Sequence, residues 1–300
     1  MEKTVICHFY NEEFLLPWFL NHHKHIFDHG IMIDYASTDR SADIIKEICP
    51  TWEIRPSRNE YFDPESIDQE VMDIERELTG WRIALNVTEF LYGNLDLLDD
   101  DPKEKNYFLR NFVFVDMEDT SKGPIELDHK RPLHEQRYWG YLDDKNAGKW
   151  FPNGSVARLH RSIHNHPVVY ADWGRHWPNT EAIGELVIFY YGYASISKQG
   201  IARKTQIRQR ISNYINPDTR SLPSGIRFEE DENGQQILVN AEGNQIDKET
   251  LPGGWGSHHN YNAEEFIKQY REDQQPLSYD TRLEIAHILE HNKRTIGQEW

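Results

Sequence analysis

The chain has little cysteine and no apolar run long enough to cross a bilayer. Its 300 residues include two cysteines, Cys7 and Cys49, which are too few for a disulfide framework and fit a reducing compartment. The longest apolar run, from Leu186 to Ala194, is shorter than a membrane span requires, and the N-terminus lacks a cleavable signal pattern. These absences predict a cytoplasmic protein with no membrane span.

Basic residues are also in the minority. Lysine and arginine number 33 against 50 acidic residues, which gives a net charge of −17. Such a surface repels nucleic acid unless its basic residues are concentrated in one place, so we expect no nucleic-acid partner. A hydrophobic fraction of 38% and a charged fraction of 28% are typical of a globular protein and exclude a disordered one.

Three common enzyme motifs are missing. No G-x-G-x-x-G follows the first predicted strand, which argues against a dinucleotide-binding dehydrogenase. There is no H-E-x-x-H and no C-x-x-C, so a zinc site would have to come from histidine clusters within residues 22–25, 160–166 and 258–259. Because metal sites need convergent ligands and supporting groups, we expect surface or hydrogen-bonded histidines here. A histidine-based metal hydrolase stays open as an alternative.

The first hundred residues alternate between strand and helix patterns. The predicted strands are 4–10, 31–37, 52–57 and 81–87, and the predicted helices are 11–27, 41–48 and 64–78. The third helix is the best marked, because Asp63 and Pro64 form a start signal, Ile67, Val71, Ile74 and Leu78 form one apolar stripe, and Gly80 ends it. This alternation predicts an α/β fold with a mainly parallel sheet flanked by helices.

The remainder of the chain is predicted less regularly. A further strand covers 108–118, and the pattern from Thr180 to residue 216 is interpreted as helical. Residues 217–256 are rich in Pro, Gly, Asn and acids, and Asn233-Gly234 is a hairpin signal. Two helices close the chain, from Asn262 and from Tyr279 to Lys293. We therefore predict a core domain at 1–216 and a hairpin-containing, helical extension at 217–300 that packs on it.

Polar residues follow each of the first four predicted strands. In an open parallel sheet, ligands bind outside the carboxyl ends of the strands. The residues in these positions are Tyr10, Asn11 and Glu12, then Asp34, Ser37, Thr38 and Asp39, then Arg58, and finally Asn86, Thr88 and Glu89. Each group alone has an ordinary explanation in helix capping, but the four together predict a polar ligand site.

Three strings at these strand ends resemble a known family. YNEE, DYASTD and W-x-x-x-x-N-x-T-E-F-L, within residues 4–92, are similar to motifs of sugar-nucleotide glycosyltransferases of the GT-A fold, of the family 2 and family 92-like types. The chain as a whole resembles the xylosyltransferases of chloroviruses. The resemblance implies a GT-A (Rossmann-like) core in residues 1–216 that binds a UDP-sugar and an acceptor, and the host cytoplasm as its location if the protein is viral.

The resemblance also implies roles for individual residues. Tyr10, Asn11 and Glu12 would line the nucleoside pocket, and Asp34 would accept a hydrogen bond from a uracil imide. Ser37, Thr38 and Asp39 would shape the adjacent turn. The other residues that we expect to bind the donor are Arg58, Asn86, Thr88, Glu89, His160 and Lys204.

At one place the sequence departs from the family pattern. Asn86 and Thr88 stand where the family has its two metal-binding aspartates. An amide and a hydroxyl are neutral and hold Mn²⁺ or Mg²⁺ poorly, and Glu89 alone makes a poor site. We therefore predict an enzyme that requires no cofactor and is metal-independent, with a weak dependence on Mn²⁺ or Mg²⁺ left open.

Without a metal, basic side chains must stabilise the departing diphosphate. Two basic clusters stand out, one around Arg158 and His160 and one around Lys204 and Arg208. Arginine offers bidentate geometry to phosphate, and Arg158 and Arg208 are our predicted catalytic cations. Solvated surface charge is the alternative for both clusters.

An inverting transfer also needs a general base. Asp73 is our first choice and Asp172, among aromatic residues, is the second. The sequence thus predicts an inverting transferase that moves a sugar, xylose by analogy, from a UDP-sugar to an oligosaccharide or glycoprotein acceptor. A catalytically inactive sugar-nucleotide or glycan binder is the main alternative. The donor sugar, acceptor, linkage, base and oligomeric state stay open.

Overall fold

The computed structural model describes about two thirds of the chain. The described residues are 1–59, 64–115, 126–137, 139–142, 161–172, 176–178, 183–193, 197, 199–200, 203, 227–230, 236–239, 242–245 and 279–296. The strands are β1 Lys3–Phe9, β2 His29–Asp34, β3 Glu53–Pro56, β4 Trp81–Asn86, β5 Glu89–Gly93, β6 Asn106–Val115, β7 Trp139–Leu142, β8 Ser162–His164, β9 Tyr170–Asp172, β10 His176–Pro178, β11 Ile183–Tyr193, β12 Arg227–Glu230 and β13 Gln236–Val239. The α-helices are α1 Leu16–His23, α2 Ser41–Ile48, α3 Pro64–Glu77 and α4 Tyr279–Ile296.

Nine strands form the main sheet, in the order β3-β2-β1-β4-β8-β6-β11-β5, with β7 paired to β6. Six of them run in one direction, namely β1, β2, β3, β4, β6 and β11, while β5, β7 and β8 are reversed. Strands β12 and β13 form a separate antiparallel pair. The predicted fold class, a mainly parallel sheet flanked by helices with a small hairpin, is confirmed. The domain boundary at 216 stays a prediction.

Helix α3 covers one face of the sheet as its apolar stripe predicts. Val71 and Ile74 are buried in a cluster that includes Ile6 and Ile33 of the central strands, Leu78 packs against it, and Ile67 is buried as well. Gly80 follows the helix with a φ of +80°, and a Cβ there would lie 2.3 Å from the backbone oxygen of Glu2. Only glycine fits this position, so the helix has a sharp end just before β4.

Helix α1 is shorter than the sequence predicts. It begins at Leu16 and not at Asn11. Asn11 has a φ of 50°, which is a left-handed conformation that no α-helix contains. The segment between β1 and α1 is therefore a loop. The predicted bounds of α2 are confirmed, and α4 extends three residues beyond the predicted end at Lys293.

The prediction of a helix from Thr180 is wrong for its first part. Residues 183–193 form β11, a central strand between β6 and β5. The segment IGELVIFYYGY is mostly apolar, with Glu185 as its one charged residue, and rich in β-branched and aromatic residues. Such a run fits a buried strand as well as a buried helix. Beyond residue 193, residues 199–200 and 203 are helical, and most of the other predicted helical positions lie outside the described residues. So do the helix predicted from Asn262 and the turn at Asn233-Gly234.

No helix in the described ranges is both long enough and apolar enough to cross a membrane.

Candidate functional site

The register of the parallel strands brings the predicted polar groups to one edge of the sheet. His8 pairs with Asn86, Phe9 pairs with Asp34, and Asp34 pairs with Pro56. Strands β1, β2, β3 and β4 therefore end at nearly the same level. The loops after them form a single polar surface at the carboxyl edge, where an open parallel sheet binds ligands.

The loops after β1 and β2 are joined through the side chain of Asn11. Its Oδ1 accepts hydrogen bonds from the backbone N–H of Thr38 at 2.7 Å and of Asp39 at 3.3 Å. The backbone N–H of Asn11 donates to Oγ of Ser37 at 3.0 Å. These predicted donor-binding groups therefore hold each other in place, and they shape the pocket wall before any ligand arrives.

A second set of bonds ties the same loops to α2. The backbone N–H of Glu12 donates to Oγ of Ser41 at 2.8 Å, and the N–H of Ser41 donates to Asp39 Oδ1 at 2.9 Å. Asp34 Oδ1 accepts from the N–H of Ser37 at 2.8 Å, which closes a turn directly after β2. Ser37 and Asp39 thus take part in fixing the turn.

The backbone of this edge is strained at two positions. Asn11 has a φ of 50° and Ala36 a φ of 60°. Asparagine tolerates the left-handed region, but for alanine that conformation costs about 1–2 kcal/mol. Such strain persists only where surrounding bonds enforce it, and it is concentrated at ligand sites. The bonds from Asn11 and Asp34 supply that enforcement on either side of Ala36.

The turn between β4 and β5 contains a buried ion pair. Glu89 Oε2 accepts from the backbone N–H of Asn86 at 2.7 Å and from Nε of Arg161 at 2.9 Å, while Oε1 accepts from Nη2 of Arg161 at 2.8 Å. Both side chains are almost fully buried. Burial opposes the charged form, but the adjacent carboxylate of Glu89 raises the pKa of Arg161. The one carboxylate of this turn is thus neutralised by a guanidinium that is bound in bidentate fashion.

The residues of this turn do not fit a divalent cation. The Asn86 amide donates to Glu89 Oε1 at 3.3 Å, and the backbone oxygen of Thr88 accepts from Tyr191 N–H at 2.8 Å. A hard cation such as Mg²⁺ would need Glu89 oxygens that the N–H groups of Arg161 and Asn86 already occupy. Within the described part of the chain, no three or more His, Cys, Asp or Glu side chains form a group that could hold a metal ion.

Glu70 on α3 is a central residue of this edge that we did not predict. Its carboxylate accepts from His8 Nε2 at 3.1 Å, Ser57 Oγ at 2.8 Å, Asn59 Nδ2 at 2.8 Å and the N–H of Arg58 at 2.9 Å. Burial alone would raise the pKa of Glu70, but the bonds from His8, Arg58 and Ser57 outweigh it and lower this pKa to about 2. Glu70 therefore ties the ends of β1 and β3 to α3 as a permanent anion. Glu70 lies three residues after Ile67, at the edge of the apolar stripe of α3. This spacing was the one signal in the sequence that Glu70 lies close to the sheet.

Asp73, our first choice for the base, forms ion pairs with two arginines. Arg58 Nη2 lies 2.7 Å from its Oδ2, Arg76 contacts Oδ1, and Gln69 donates to Oδ1 at 2.7 Å. The hydrogen bond from Arg58 is the main reason that the pKa of Asp73 is lowered. A carboxylate with a lowered pKa accepts a proton less readily, so this geometry weighs against Asp73. Its catalytic role stays a prediction, as does that of Asp172, whose backbone ends β9 and whose side chain is not among the described ones.

A basic residue of the second predicted cluster reaches the β1 loop. Nε of Arg203 lies 3.0 Å from Oε2 of Glu12, and both side chains are mostly buried. This contact brings the start of the cluster to the carboxyl edge. Lys204 and Arg208, which follow in sequence, lie outside the described residues, and so do Arg158 and His160 of the first cluster.

Two histidines of the proposed metal clusters are buried hydrogen-bonding residues. His22 Nε2–H donates to the backbone oxygen of Leu91 at 2.7 Å, and the N–H of Leu91 donates to Nε2 of His23 at 3.2 Å. His23 Nδ1–H in turn donates to Phe19 O at 2.9 Å. Burial lowers the pKa of His22 to about 3 and that of His23 well below its ordinary value. These rings are neutral links between α1 and β5.

Strand order and direction make this an α/β fold with a mainly parallel sheet, which is consistent with a GT-A-like fold. No family model and no curated protein match the chain. Among solved structures, it is similar to S. aureus TarS. The crystal structure of TarS 1–349 is 14% identical with a TM-score of 0.29, and the match covers 38% of this chain and 36% of that one. A second TarS crystal structure gives 14% identity and a TM-score of 0.28, with 39% of this chain and 22% of that one covered. Matches at this level carry no argument about activity.

Proposed function

We propose that this chain is an inverting glycosyltransferase that moves a sugar from a UDP-sugar to an oligosaccharide or glycoprotein acceptor. The observation that carries the proposal is the polar carboxyl edge, where the ends of four parallel strands are held in register and their loops are fixed by hydrogen bonds. A polar edge whose loops are already held by hydrogen bonds suits a nucleotide-sugar. Family 2-like and family 92-like motifs in the same loops give it a sugar-nucleotide class.

The Asn86–Glu89 turn supports a reaction that does not depend on a metal. The Arg161 guanidinium already lies against the carboxylate that a metal would use. The guanidinium and the carboxylate neutralise each other next to the positions where the family pattern has its metal-binding acids. We propose that transfer requires no tightly bound Mn²⁺ or Mg²⁺, with weak stimulation by either left possible in the same assay.

Basic side chains have to stabilise the leaving diphosphate in such an enzyme. We propose Arg158 and Arg208 for this role, with His160 and Lys204 beside them. The contact between Arg203 and Glu12 supports the second cluster, because it places residue 203 at the carboxyl edge. Removing one group that stabilises developing charge in a transition state lowers turnover by about 10²–10³-fold, so Arg158→Ala and Arg208→Ala should each lower kcat by about that factor while the protein stays folded. Near-normal rates in both variants would contradict this role.

The donor sugar is proposed as xylose, by analogy with the chlorovirus enzymes. The deciding experiment measures hydrolysis and transfer with a panel of UDP-sugars that includes UDP-xylose, UDP-glucose and UDP-galactose, with and without EDTA. We expect one donor to be consumed at an unchanged rate in EDTA. Activity that EDTA abolishes and Mn²⁺ restores would contradict metal independence but would still support the proposed transferase activity.

A binding protein without activity is the second candidate. The observation that favours it is the replacement of both metal-binding acids by Asn86 and Thr88, with Glu89 held by Arg161. Calorimetric titration with UDP, together with the donor assay, distinguishes the transferase from the inactive binding protein. A UDP complex without turnover of any donor, in the presence of glycan acceptors, would favour the binder, and failure to bind any uridine nucleotide would contradict both. The histidine hydrolase finds no support in His22 and His23, whose ring nitrogens bind backbone groups.

A further inference from the structure

Tyr190 lies beside the Asn86–Glu89 turn on the neighbouring strand. It pairs with Glu89 across β11 and β5, so the two side chains project from the same face of the sheet. The N–H of Tyr191 donates to Thr88 O at 2.8 Å, which fixes this register at the turn itself. β11 runs parallel to β6 and to the central strands, and Tyr190 therefore stands at the carboxyl edge.

Tyr190 is more exposed than the apolar residues around it in β11. Leu186, Val187, Ile188, Phe189 and Tyr191 are buried, with at most 1% of their surface exposed. Tyr190 is partly exposed. A partly exposed aromatic side chain at the carboxyl edge of the sheet can contact a ligand that binds there.

Gly192 gives the phenol of Tyr190 its position. A Cβ on residue 192 would lie 2.2 Å from the hydroxyl oxygen and 2.4 Å from Cζ of Tyr190. The ring therefore lies along the strand, over the surface of Gly192, and no other residue at 192 leaves it room there. Gly192 does not have a positive φ, so the space for Tyr190, and not backbone conformation, requires glycine.

We propose that Tyr190 is the platform on which the transferred sugar stacks, a substrate-contacting role that rests on the proposed transferase function. The faces of a pyranose ring are apolar C–H surfaces with hydroxyls around the rim, and an aromatic ring laid flat presents a matching apolar face. A diphosphate bound near Asn86 would bring its sugar next to Glu89, and Tyr190 is the cross-strand neighbour of Glu89. Gly192 sets the height of the platform.

Calorimetric titration of the purified chain with UDP, UDP-glucose and UDP-xylose tests this role. An aromatic contact of ordinary strength corresponds to about a tenfold change in affinity. Tyr190→Ala should weaken the UDP-sugar that the wild type binds best by about that factor, relative to UDP. Tyr190→Phe keeps the ring and should retain most of the affinity for the sugar donor.

Gly192→Ala is a second test of the role of Tyr190. It leaves Tyr190 unchanged in sequence but displaces its ring, so we expect the same selective loss of the UDP-sugar. In the Tyr190→Ala background, Gly192→Ala should add little, because no ring remains to be displaced. Tyr107→Ala is the matched control, since Tyr107 is a partly exposed tyrosine at the amino end of β6, stacked on Trp81. It should leave the ratio of UDP-sugar to UDP affinity unchanged.

Different results overturn different steps. A wild type that binds neither UDP nor UDP-sugars overturns the transferase and the platform together. Wild-type binding of a UDP-sugar that Tyr190→Ala leaves unchanged relative to UDP overturns the platform alone. Equal loss of UDP and UDP-sugar in Tyr190→Ala, with a lowered melting temperature, shows a structural tyrosine and also overturns it.

Discussion

Arg161 is the residue on which the candidate site depends most directly. Its guanidinium binds both carboxylate oxygens of Glu89, and both side chains are almost fully buried. A buried ion pair contributes little net stability when it is complete, because desolvation offsets the attraction. Removing one partner is different, since a buried charge then remains without its counter-ion.

We predict that Arg161→Met lowers the free energy of unfolding by about 3–5 kcal/mol. The double variant Arg161→Met/Glu89→Gln should be more stable than the single one, because the amide carries no charge and still accepts from Asn86 N–H. Urea unfolding measures both values. Arg40→Met, which breaks an exposed pair with Glu47, is the control and should change stability by less than about 1 kcal/mol. A double variant as unstable as the single one would contradict the uncompensated-charge argument.

Sequence reasoning located the polar residues of the carboxyl edge but not their partners. Asn11 was predicted to line the donor pocket, and Ser37 and Asp39 to shape the adjacent turn; in the structure these three residues also join two loops, and their part in donor binding stays a prediction. Their partners lie about 26–28 residues away in sequence, where only the strand register brings them close. The same limit explains why Glu70 was missed. Its four donors come from β1 and from the loop after β3, and no spacing along the chain connects them.

At the scale of elements, local patterns were reliable where two signals agreed. α2 was predicted with its observed ends and α3 within one residue of its ends, and in α3 a start signal, a closing glycine and amphipathic spacing coincided. β11 was mistaken for a helix because its residues are apolar on both faces, which removes the period that separates strand from helix. Its pairing with β6 and β5 decided the conformation, and pairing is a property of the whole sheet.

The side chain of Asn292 joins helix α4 to the end of β5. Asn292 Oδ1 accepts from the N–H of Gly93 at 2.8 Å, and Asn292 Nδ2 donates to Gly93 O at 3.2 Å. The amide thus satisfies both backbone groups at the end of β5, much as a neighbouring strand would. Ile285, Ile288 and Leu289 pack on the same core beside it.

We predict that Asn292→Ala lowers the free energy of unfolding by about 2–4 kcal/mol, because it leaves a buried N–H and a buried C=O without partners. His291→Ala is the matched control. His291 is only partly buried and bonds to the Asn94 side chain, so its loss should cost about 1 kcal/mol or less. Urea unfolding of the two variants gives the comparison, and equal values would contradict the role of Asn292 in docking α4.

For the whole molecule, the net charge of −17 does not describe the interior. Buried histidines and carboxylates occur together between α3 and the sheet, where His8 contacts Glu70 and His164 lies 3.3 Å from Glu75. On the opposite face, His22 and His23 are buried as neutral rings. These interior groups, and not the acidic surface alone, set the response of the fold to acid.

We predict that stability falls as the pH drops below about 6.5, the ordinary pKa of histidine. The pKa values of His22 and His23 are depressed in the folded state, to about 3 for His22, so below pH 6.5 the unfolded chain binds more protons and acid favours unfolding. Each proton contributes a slope of about 1.4 kcal/mol per pH unit, and the two rings together about twice that near pH 5. Below about pH 4.5 Glu70 adds to the loss of stability, because its pKa is lowered in the folded state and the unfolded chain therefore binds the proton first. Urea unfolding at pH 7, 6 and 5 measures the slope. The double variant His22→Gln/His23→Gln should lower the slope of stability against pH. His29→Gln, at an exposed site, is the control and should leave the slope unchanged. An unchanged slope in the double variant would show that other groups bind the protons.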